Sequence, residues 1–270
     1  MPEVNRPPAH IIAAFGADGA TGEQLPGVSG RVWRHDDIVL RPASNSVTAA
    51  WVASVFESLR ISDMRVARPV RSLDGRWVVG GWRAERFLSG RPAGRFDDIL
   101  AAAFDMDHAL QHVVVPRFVL ERADWYGWLD RLSWDSEADP GALLGDSASA
   151  RLWFEVAARR TLVDAPRQVI HGDLFGNVLF AGSAPPAVID FSPLARPAGF
   201  AAAVVVVDAL AWGGAPVSLA ADRAYVPYWG QLLRRACLFR LAMVLTHRRA
   251  TAEAEEQLTT AIELLRPHMG

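Results

Sequence analysis

The sequence predicts an α+β fold in two lobes, with a small antiparallel β-sheet first and a larger helical lobe after it. In the first third of the chain, short β-like runs alternate with turn signals. Beyond that point, apolar residues recur at helical spacing over long segments. These two patterns predict a β-rich lobe over residues 1–88 and a helical lobe over residues 89–270.

Short strands around a single helix are expected in the first lobe. Runs of Val, Ile, Trp and Leu bounded by turn-forming residues predict the strands, and apolar residues four positions apart predict the helix. In chain order, these elements are a glycine-bearing loop at 27–30, strands at 31–33 and 38–41, a helix at 47–59, and strands at 65–70 and 76–88.

Long amphipathic segments predict the helices of the second lobe. They lie at residues 96–115, 117–134, 148–163, 225–246 and 251–265. One hairpin interrupts this helical part of the chain, with strands at 177–181 and 186–190 and a four-residue turn at 182–185. In a hairpin of that register, Asn177 and Asp190 would face each other at its open end.

The composition of the chain argues against several classes of protein function. The formal net charge is −2 and no basic block is present, which speaks against non-specific nucleic-acid binding. The longest apolar run, at 200–207, is far shorter than the ~20 residues of a membrane span, and no secretion signal is evident, so a cytoplasmic location is expected. Cys237 is the only cysteine, so no internal disulfide is expected. All 28 basic residues are arginines, and any step usually given to lysine must fall to another side chain.

The stretch HGDLFGN at residues 171–177 concentrates polar side chains beside an apolar run. If Asn177 faces Asp190, one amide oxygen and one carboxylate come within reach of a single divalent ion. Hard oxygen ligands of this kind suit Mg²⁺. Asp173 would lie near the same ion, in the loop that precedes the strand. Phosphoryl transfer needs a carboxylate that orients and deprotonates the attacking hydroxyl.

This stretch, followed by VIDF at residues 188–191, resembles the HGD…N and IDF motifs of the aminoglycoside phosphotransferase-like kinases. That family has a protein-kinase-like fold, and in protein kinases related motifs supply the catalytic aspartate and the metal ligands. The wider sequence resembles an actinobacterial branch of the family. The resemblance covers most of the chain and is specific in the motif block alone.

The resemblance implies a role for each polar residue of the block. Asp173 is expected to be the catalytic base, with Asn177 and Asp190 as ligands of Mg²⁺. His171 is expected to pack against the loop and support it. Asp208, on an apolar helix, is expected to be a buried brace for the catalytic loop, because a buried aspartate needs a partner.

The part of the family pattern that binds nucleotide is altered. Arg41 ends a predicted strand where the family has a phosphate-binding lysine, and an arginine can still contact phosphate although its planar fork differs from a lysine. The glutamate that should pair with this residue is not evident, since Glu57 lies beyond its expected place in the helix. The residues expected to contact ATP or GTP are Arg41, Gly27, Ser29, Gly30, Arg86 and Phe87.

The predicted function is Mg²⁺-dependent transfer of the γ-phosphate of ATP, or of another nucleoside triphosphate, to a hydroxyl of a small molecule. A small acceptor is favoured over a protein because only a short stretch separates Asp190 from the next helix. An aminoglycoside is one candidate acceptor. Two alternatives remain open at this point: a weakly active or inactive pseudokinase acting as a nucleotide-binding sensor or scaffold, and a metal-dependent hydrolase that uses the same three polar residues.

Overall fold

The computed structural model describes most of the chain, namely residues 6–19, 21–25, 31–138, 140, 144–221, 223 and 225–270. The glycine-bearing loop that was predicted to cover the nucleotide lies outside these residues. Its members Gly27, Ser29 and Gly30 therefore remain sequence-based predictions.

The chain forms two compact units. The first comprises Met1–Arg91 and Leu179–Asp190, and the second comprises Pro92–Val178 and Phe191–Gly270. Strands dominate the first unit and helices the second, which confirms the predicted α+β class. Among the residues that the structure describes, every helix is too short or too polar to span a membrane.

The strands are short and carry the labels β1 to β11 in chain order. They are β1 Glu23–Gln24, β2 Trp33–His35, β3 Ile38–Pro42, β4 Arg65–Val66, β5 Pro69–Val70, β6 Val78–Val79, β7 Trp82–Arg86, β8 Gln168–His171, β9 Val178–Ala181, β10 Ala184–Val188 and β11 Pro193–Arg196. An antiparallel sheet in the order β1–β2–β3–β7–β5, with β6 added to β7, forms the body of the first unit.

The helices are labelled α1 to α9. They are α1 Ala9–Ala14, α2 Ser46–Ser58, α3 Phe96–Leu110, α4 Arg117–Leu120, α5 Trp125–Trp134, α6 Ala148–Ala157, α7 Phe200–Trp212, α8 Trp229–Thr246 and α9 Ala252–Leu265. Short 3-10 helices follow α7 and α9, at Val217–Ala220 and Arg266–His268.

The helix predicted at 47–59 is confirmed as α2. Asn45 caps its first turn, because its side chain accepts a hydrogen bond of 3.0 Å from the backbone N–H of Thr48. Helix α1 and the residue after it contribute Ile11 and Phe15 to the apolar core beneath the sheet. The predicted strand at 65–70 is divided, since β5 joins the main sheet while β4 pairs in parallel with β10.

The hairpin differs from its predicted register. Gly182, with a φ of 52°, and Ser183 are the whole turn, so Ala184 and Pro185, which were predicted in the turn, belong to β10. Asn177 precedes β9, and Asp190 lies two residues beyond the end of β10. The predicted cross-strand pair of Asn177 and Asp190 is therefore wrong, because neither residue lies in the hairpin strands.

The helix predicted at 117–134 is also wrong as a single element. It is interrupted between α4 and α5, where Asp124 caps α5 by accepting a hydrogen bond of 2.9 Å from the N–H of Gly127. A side chain at position 127 would meet the carbonyl oxygen of Arg122 at 2.2 Å, so the close approach requires glycine. An N-cap residue inside an amphipathic pattern thus divides it into two helices.

Helix α7 is buried along nearly its whole length, as expected for a helix that is apolar on every side. It packs against α3, α8 and α9. Helix α8 is also buried, yet it carries the buried arginines Arg234, Arg235 and Arg240. These cations need partners inside the second unit.

Asp107 of α3 caps the start of α7. One carboxylate oxygen accepts a hydrogen bond of 2.7 Å from the N–H of Gly199, whose φ is 87°. The other oxygen is buried and has no hydrogen-bond partner in the described part of the chain. Burial raises the pKa of Asp107 to about 7, although the hydrogen bond from Gly199 opposes the shift.

This pKa predicts how stability depends on pH. The folded chain holds the Asp107 proton more tightly than the unfolded chain does. The stability that the protonated carboxyl contributes is therefore complete below pH 4 and is lost as the pH rises through 7. Asp107→Asn, which stays neutral, should raise the free energy of unfolding at pH 8 by roughly 1–4 kcal/mol relative to the parent chain. Urea unfolding at pH 5 and pH 8 measures this difference.

Asp105→Asn is the matched control, since Asp105 is exposed on the same helix. It should leave the pH dependence as it is in the parent chain. Equal pH slopes for Asp107→Asn and the parent chain would contradict a buried neutral carboxyl at this position.

Candidate active site

Four charged side chains meet in the first unit around Arg41. This arginine is at the end of β3 and is 7% exposed. Its Nη1 donates to Oδ1 of Asp190, and its Nη2 lies 3.3 Å from Oε1 of Glu85. Arg83 lies 3.0 Å from Oε2 of Glu85 and 3.5 Å from Oδ1 of Asp190. Two guanidinium groups thus face two carboxylates.

The geometry of the sheet explains this cluster. Arg41 pairs directly with Arg83 across β3 and β7, and Val39 pairs with Glu85. Directly paired residues share a face of the sheet, as do residues two apart in a strand. Arg41, Arg83 and Glu85 are therefore neighbours on one face.

Glu85 supplies the acidic partner that Arg41 was expected to find on a helix. The helix glutamate considered from the sequence, Glu57, instead pairs with Arg71 at 3.0 Å on an exposed surface. The sequence signal for Glu85 was its i, i+2 spacing from Arg83 in a predicted strand, which places both side chains on one face.

The charges of the cluster depend on each other. Burial alone would lower the pKa of Arg41, but the carboxylates of Glu85 and Asp190 outweigh it and raise that pKa. Burial and the neighbouring Arg41 lower the pKa of Arg83, although Glu85 and Asp190 oppose the shift. The cluster therefore fixes Arg41 as a cation in a largely buried position.

Asp190 is the exposed member of this cluster. Its side chain is 56% exposed, and its backbone adopts a φ of 51°. A positive φ is uncommon for a residue other than glycine and occurs where the surrounding structure holds the backbone. The carboxylate of Asp190 is thus presented at a defined position just beyond β10.

Arg86 and Phe87 lie at the end of β7, and their backbone N–H groups are already used. The N–H of Arg86 donates to the carbonyl of Arg68 at 2.7 Å, and that of Phe87 donates to the carbonyl of Asp37 at 2.7 Å. The ring of Phe87 is covered by the guanidinium of Arg34 at 3.7 Å. A contact of these two residues with a nucleotide base stays a prediction.

In the second unit, the loop after β8 carries the residues predicted for catalysis. His171 is fully buried, and its Nδ1 accepts a hydrogen bond of 3.1 Å from the N–H of Asp173. Its ring packs against Phe191 with the ring centres 5.1 Å apart. The histidine thus holds the backbone of the loop, and the side chain of Asp173 remains 43% exposed.

Asn177 closes the same loop. Its Nδ2 donates a hydrogen bond of 2.7 Å to the carbonyl oxygen of Asp173. Tyr126 of α5 donates from its hydroxyl to the carbonyl oxygen of Gly172 at 2.8 Å. A side chain at position 172 would meet Leu194 at 2.6 Å, so the loop needs glycine there.

Arg240 binds two aspartates of this unit, Asp173 and Asp208. It binds Asp208 through two hydrogen bonds, of 2.7 Å from Nε and 2.6 Å from Nη2. The same Nη2 lies 2.6 Å from Oδ1 of Asp173. Asp208 therefore braces the loop through Arg240, and no direct bond between Asp208 and the loop is required.

Burial is the largest influence on the pKa values of Asp208 and Arg240. It raises the pKa of Asp208 to about 6, although Arg240 opposes the shift. Burial alone would lower the pKa of Arg240, but Asp208 and Asp173 outweigh it and raise that pKa well above its usual value. Arg240 is therefore a permanent cation beside Asp173.

The donor atoms of two predicted ligands fit Mg²⁺. Because Nδ2 of Asn177 is used within its loop, the carbonyl oxygen of that amide is the atom left to bind a cation. Asp190 offers a carboxylate of which Oδ2 is not used by either arginine. Mg²⁺ typically takes one or two protein oxygens and completes its shell with water and phosphate. The two residues lie in different units, Asn177 in the second and Asp190 in the first.

Sequence reasoning missed several members of both clusters. Arg240 and Tyr126 lie on helices far along the chain from the loop that they hold, and they carry no local motif. Arg83 and Glu85 had the weak signal of opposite charges at an i, i+2 spacing in a predicted strand.

Comparisons with known proteins identify a family and a fold. A model of the phosphotransferase enzyme family matches residues 22–197. A search of curated proteins found no match.

Several solved structures share the fold. A thermostable mutant of aminoglycoside phosphotransferase APH(4)-Ia is 16% identical, with a TM-score of 0.60 over 96% of this chain and 98% of that chain. The amicoumacin kinase hAmiN, solved with AMP-PNP, Ca²⁺ and Ami, is 14% identical, with a TM-score of 0.57 over 90% and 87% of the two chains. An aminoglycoside phosphotransferase from Alicyclobacillus acidocaldarius is 14% identical, with a TM-score of 0.53 over 88% and 87%. The predicted protein-kinase-like fold is confirmed.

Proposed function

The chain belongs to the phosphotransferase enzyme family, and we propose that it transfers the γ-phosphate of ATP, or of another nucleoside triphosphate, to a hydroxyl of a small molecule in a Mg²⁺-dependent reaction. One observation carries the proposal: Arg240 and His171 hold Asp173 while its side chain stays 43% exposed. Family membership favours an enzyme over the pseudokinase alternative.

Asp173 is the proposed base. Because Nη2 of Arg240 binds Oδ1, the second carboxylate oxygen is left to accept a hydrogen bond from the substrate hydroxyl. The hydroxyl oxygen forms a bond to the γ-phosphorus, the bond from that phosphorus to the β,γ-bridging oxygen breaks, and the nucleoside diphosphate leaves. The hydroxyl proton passes to Asp173.

Asn177 and Asp190 are the proposed ligands of Mg²⁺, through one amide oxygen and one carboxylate. Bound Mg²⁺ would neutralise the phosphate oxygens and the charge that develops on the leaving group. Arg41 is the proposed phosphate contact. Its guanidinium is held in place by Glu85 and Asp190, so little side-chain freedom remains to be lost on binding.

The direct test is a coupled assay for nucleoside diphosphate release with a panel of hydroxyl acceptors. Relatives in fold have been solved with spectinomycin and with hygromycin B, so aminocyclitol antibiotics belong in the panel beside amino alcohols and simple sugars. The expected result is release that depends on both Mg²⁺ and one acceptor class. Phosphate release without any acceptor would indicate a hydrolase, and nucleotide binding without turnover on any acceptor would indicate a pseudokinase.

Arg41→Met is expected to weaken binding of the nucleoside triphosphate by roughly 10–100-fold, because one charged contact with phosphate is worth about 1.5–3 kcal/mol. Arg41→Lys should retain part of the affinity, since it keeps the charge and loses the planar fork. Isothermal titration calorimetry with a non-hydrolysable nucleotide measures both.

Arg71→Met is the control for this prediction, because Arg71 is half-exposed in the same unit and pairs only with Glu57 among the carboxylates of the described residues. Its nucleotide affinity should equal that of the parent chain. An unchanged affinity in a folded Arg41→Met variant would remove Arg41 from the nucleotide site.

A further inference from the structure

A cavity of about 420 Å³ lies in the second unit, apart from the loop that carries Asp173. Strands β8 and β11 separate the two places. At one end of this ribbon His171 pairs with Pro193 next to the loop, and at the other end Gln168 pairs with Arg196, which lines the cavity. Four strand residues span roughly 10 Å. The residues that line the cavity include Trp134, Leu162, Val163, Arg167, Arg196 and Arg235.

The cavity carries an excess of positive charge. Four of its lining residues are arginines and one, Asp135, is acidic. Arg196 is neutralised from behind by Asp130, through hydrogen bonds of 2.8 and 2.6 Å. The remaining arginines exceed the available carboxylates by two charges, so the cavity attracts anions.

Arg235 is the buried cation of this cavity. It is 4% exposed, and its Nη atoms donate to Gln231 and to the carbonyl oxygen of Thr161. These partners are uncharged, and the structure gives Arg235 no carboxylate partner within its described ranges. Burial and the neighbouring arginines, Arg160 and Arg196 first among them, lower the pKa of Arg235 to about 10. A buried charge without a counter-ion is costly, and a bound anion would relieve that cost.

Two buried donors in the cavity wall also lack partners. They are Nε of Arg235 and the indole Nε1 of Trp134, neither of which has a hydrogen-bond acceptor in the described part of the chain. Two guanidinium groups contact the ring of Trp134, with Arg196 4.7 Å and Arg235 4.8 Å from the ring centre. These cation–π contacts help to hold both cations in place. Buried polar groups are rarely left unpaired, and unpaired ones call for an explanation such as an absent ion or ligand.

We propose that this cavity is a binding site for a small organic anion, in which a phosphate or carboxylate group contacts Arg235 and Arg167 and an apolar body rests against Leu162 and Val163. The volume exceeds what an inorganic ion fills and falls in the range of small-molecule sites. The apolar wall favours a ligand that has a hydrocarbon or aromatic part. The proposal does not depend on the proposed phosphotransfer.

The test is calorimetric titration of the full chain without nucleotide, using phenyl phosphate, benzoate, inorganic phosphate and benzyl alcohol. Phenyl phosphate or benzoate should bind saturably with one site per chain, and whichever binds more tightly identifies phosphate or carboxylate as the preferred group. Inorganic phosphate should bind at least roughly tenfold more weakly than phenyl phosphate because it lacks the apolar body. Benzyl alcohol lacks the charge and should not bind measurably.

Variants of two exposed residues at the edge of the cavity test whether the ligand binds there. Arg167→Gln removes one charge and Leu162→Glu adds the opposite charge, and both positions are exposed, so folding should be retained. Each should weaken the binding of phenyl phosphate and benzoate by about tenfold or more. Arg248→Gln removes one exposed charge outside the cavity and should leave the affinity unchanged.

The proposal fails if neither anion binds saturably, or if both rim variants bind as tightly as the parent chain. It also fails if Arg248→Gln loses as much affinity as Arg167→Gln, because binding would then follow the overall charge. Release of nucleoside diphosphate in the acceptor assay is a separate measurement, so failure here leaves the proposed phosphotransfer untouched.

Discussion

Replacing Asp173 with asparagine is expected to lower kcat for phosphotransfer by roughly 10²–10⁴-fold, the usual contribution of a general base. The asparagine can still accept the hydrogen bond from Arg240 through its carbonyl oxygen. Its amide group then stands where the second carboxylate oxygen was, and an amide does not accept a proton. The variant should therefore keep its structure and lose the base.

The effect should fall on kcat and spare nucleotide binding. Arg41 and Asp190, which are proposed to contact the phosphates and the metal ion, belong to the first unit, whereas Asp173 belongs to the second. The hydrogen bonds that hold Arg41 are made by Glu85 and Asp190, and the substitution leaves both residues in place. Calorimetry with a non-hydrolysable nucleotide should give the same affinity for Asp173→Asn as for the parent chain. The coupled assay under saturating substrates measures kcat.

Asp164→Asn is the matched control, because Asp164 is an exposed aspartate of the same unit. Its kcat should equal that of the parent chain. If Asp173→Asn retained more than a tenth of the parent kcat, another group would have to accept the proton, and the assignment of Asp173 would be lost.

The central loop of the site was predictable from sequence because its residues are contiguous. His171, Asp173 and Asn177 lie within one turn-rich stretch, and the contacts of its backbone and side chains are largely local. The bond from Asn177 to the carbonyl of Asp173 spans four residues, and that from Asp173 to His171 spans two. Short-range contacts of this kind follow from residue type and spacing.

The partners of these residues were not predictable, because they depend on packing between distant segments. Arg240 lies 67 residues from Asp173 on a helix whose pattern only indicates burial. The sequence of a buried helix does not indicate which carboxylate a buried arginine will contact. Glu85 likewise reaches Arg41 through the register of β3 and β7, which sequence periodicity leaves undetermined.

In the hairpin, an error in the predicted length of the turn led to an error in the predicted cross-strand contact. Proline and glycine both signal turns, and the four residues at 182–185 contain one of each. In the structure Gly182 and Ser183 suffice, and the prolines precede the two residues of β10 that pair with β4. Because proline lacks an N–H, it is tolerated where the strand is not donating to a neighbour. The predicted contact of Asn177 with Asp190 depended on that turn length.

Replacing Arg240 with methionine is expected to lower the free energy of unfolding by roughly 3–5 kcal/mol. The change leaves Asp208, which is 2% exposed, without its partner, and breaking a buried ion pair from one side leaves an uncompensated charge. Urea unfolding at pH 8 measures the loss. Arg266→Met, which breaks surface pairs with Glu263 and Glu155, should cost at most about 1 kcal/mol.

A double variant separates stability from catalysis at this position. Arg240→Met combined with Asp208→Leu removes both buried charges, and apolar replacement of a whole ion pair is often neutral for stability. The double variant should therefore unfold at a higher urea concentration than Arg240→Met alone. Its kcat should stay low, because Asp173 still lacks the guanidinium that holds Oδ1. Recovery of kcat together with stability would mean that Arg240 serves folding only.

The pH dependence of the single variant identifies the buried charge that causes the loss. Burial raises the pKa of Asp208 and Arg240 is the group that opposes the shift, so its removal raises that pKa further. A carboxyl whose pKa is higher in the folded chain contributes stability at low pH, and that stability is lost as the pH rises through the folded pKa. Arg240→Met should therefore regain stability between pH 8 and pH 5 more steeply than the double variant. Parallel pH profiles for the two would show that the loss comes from packing, because only the single variant retains a carboxyl at position 208.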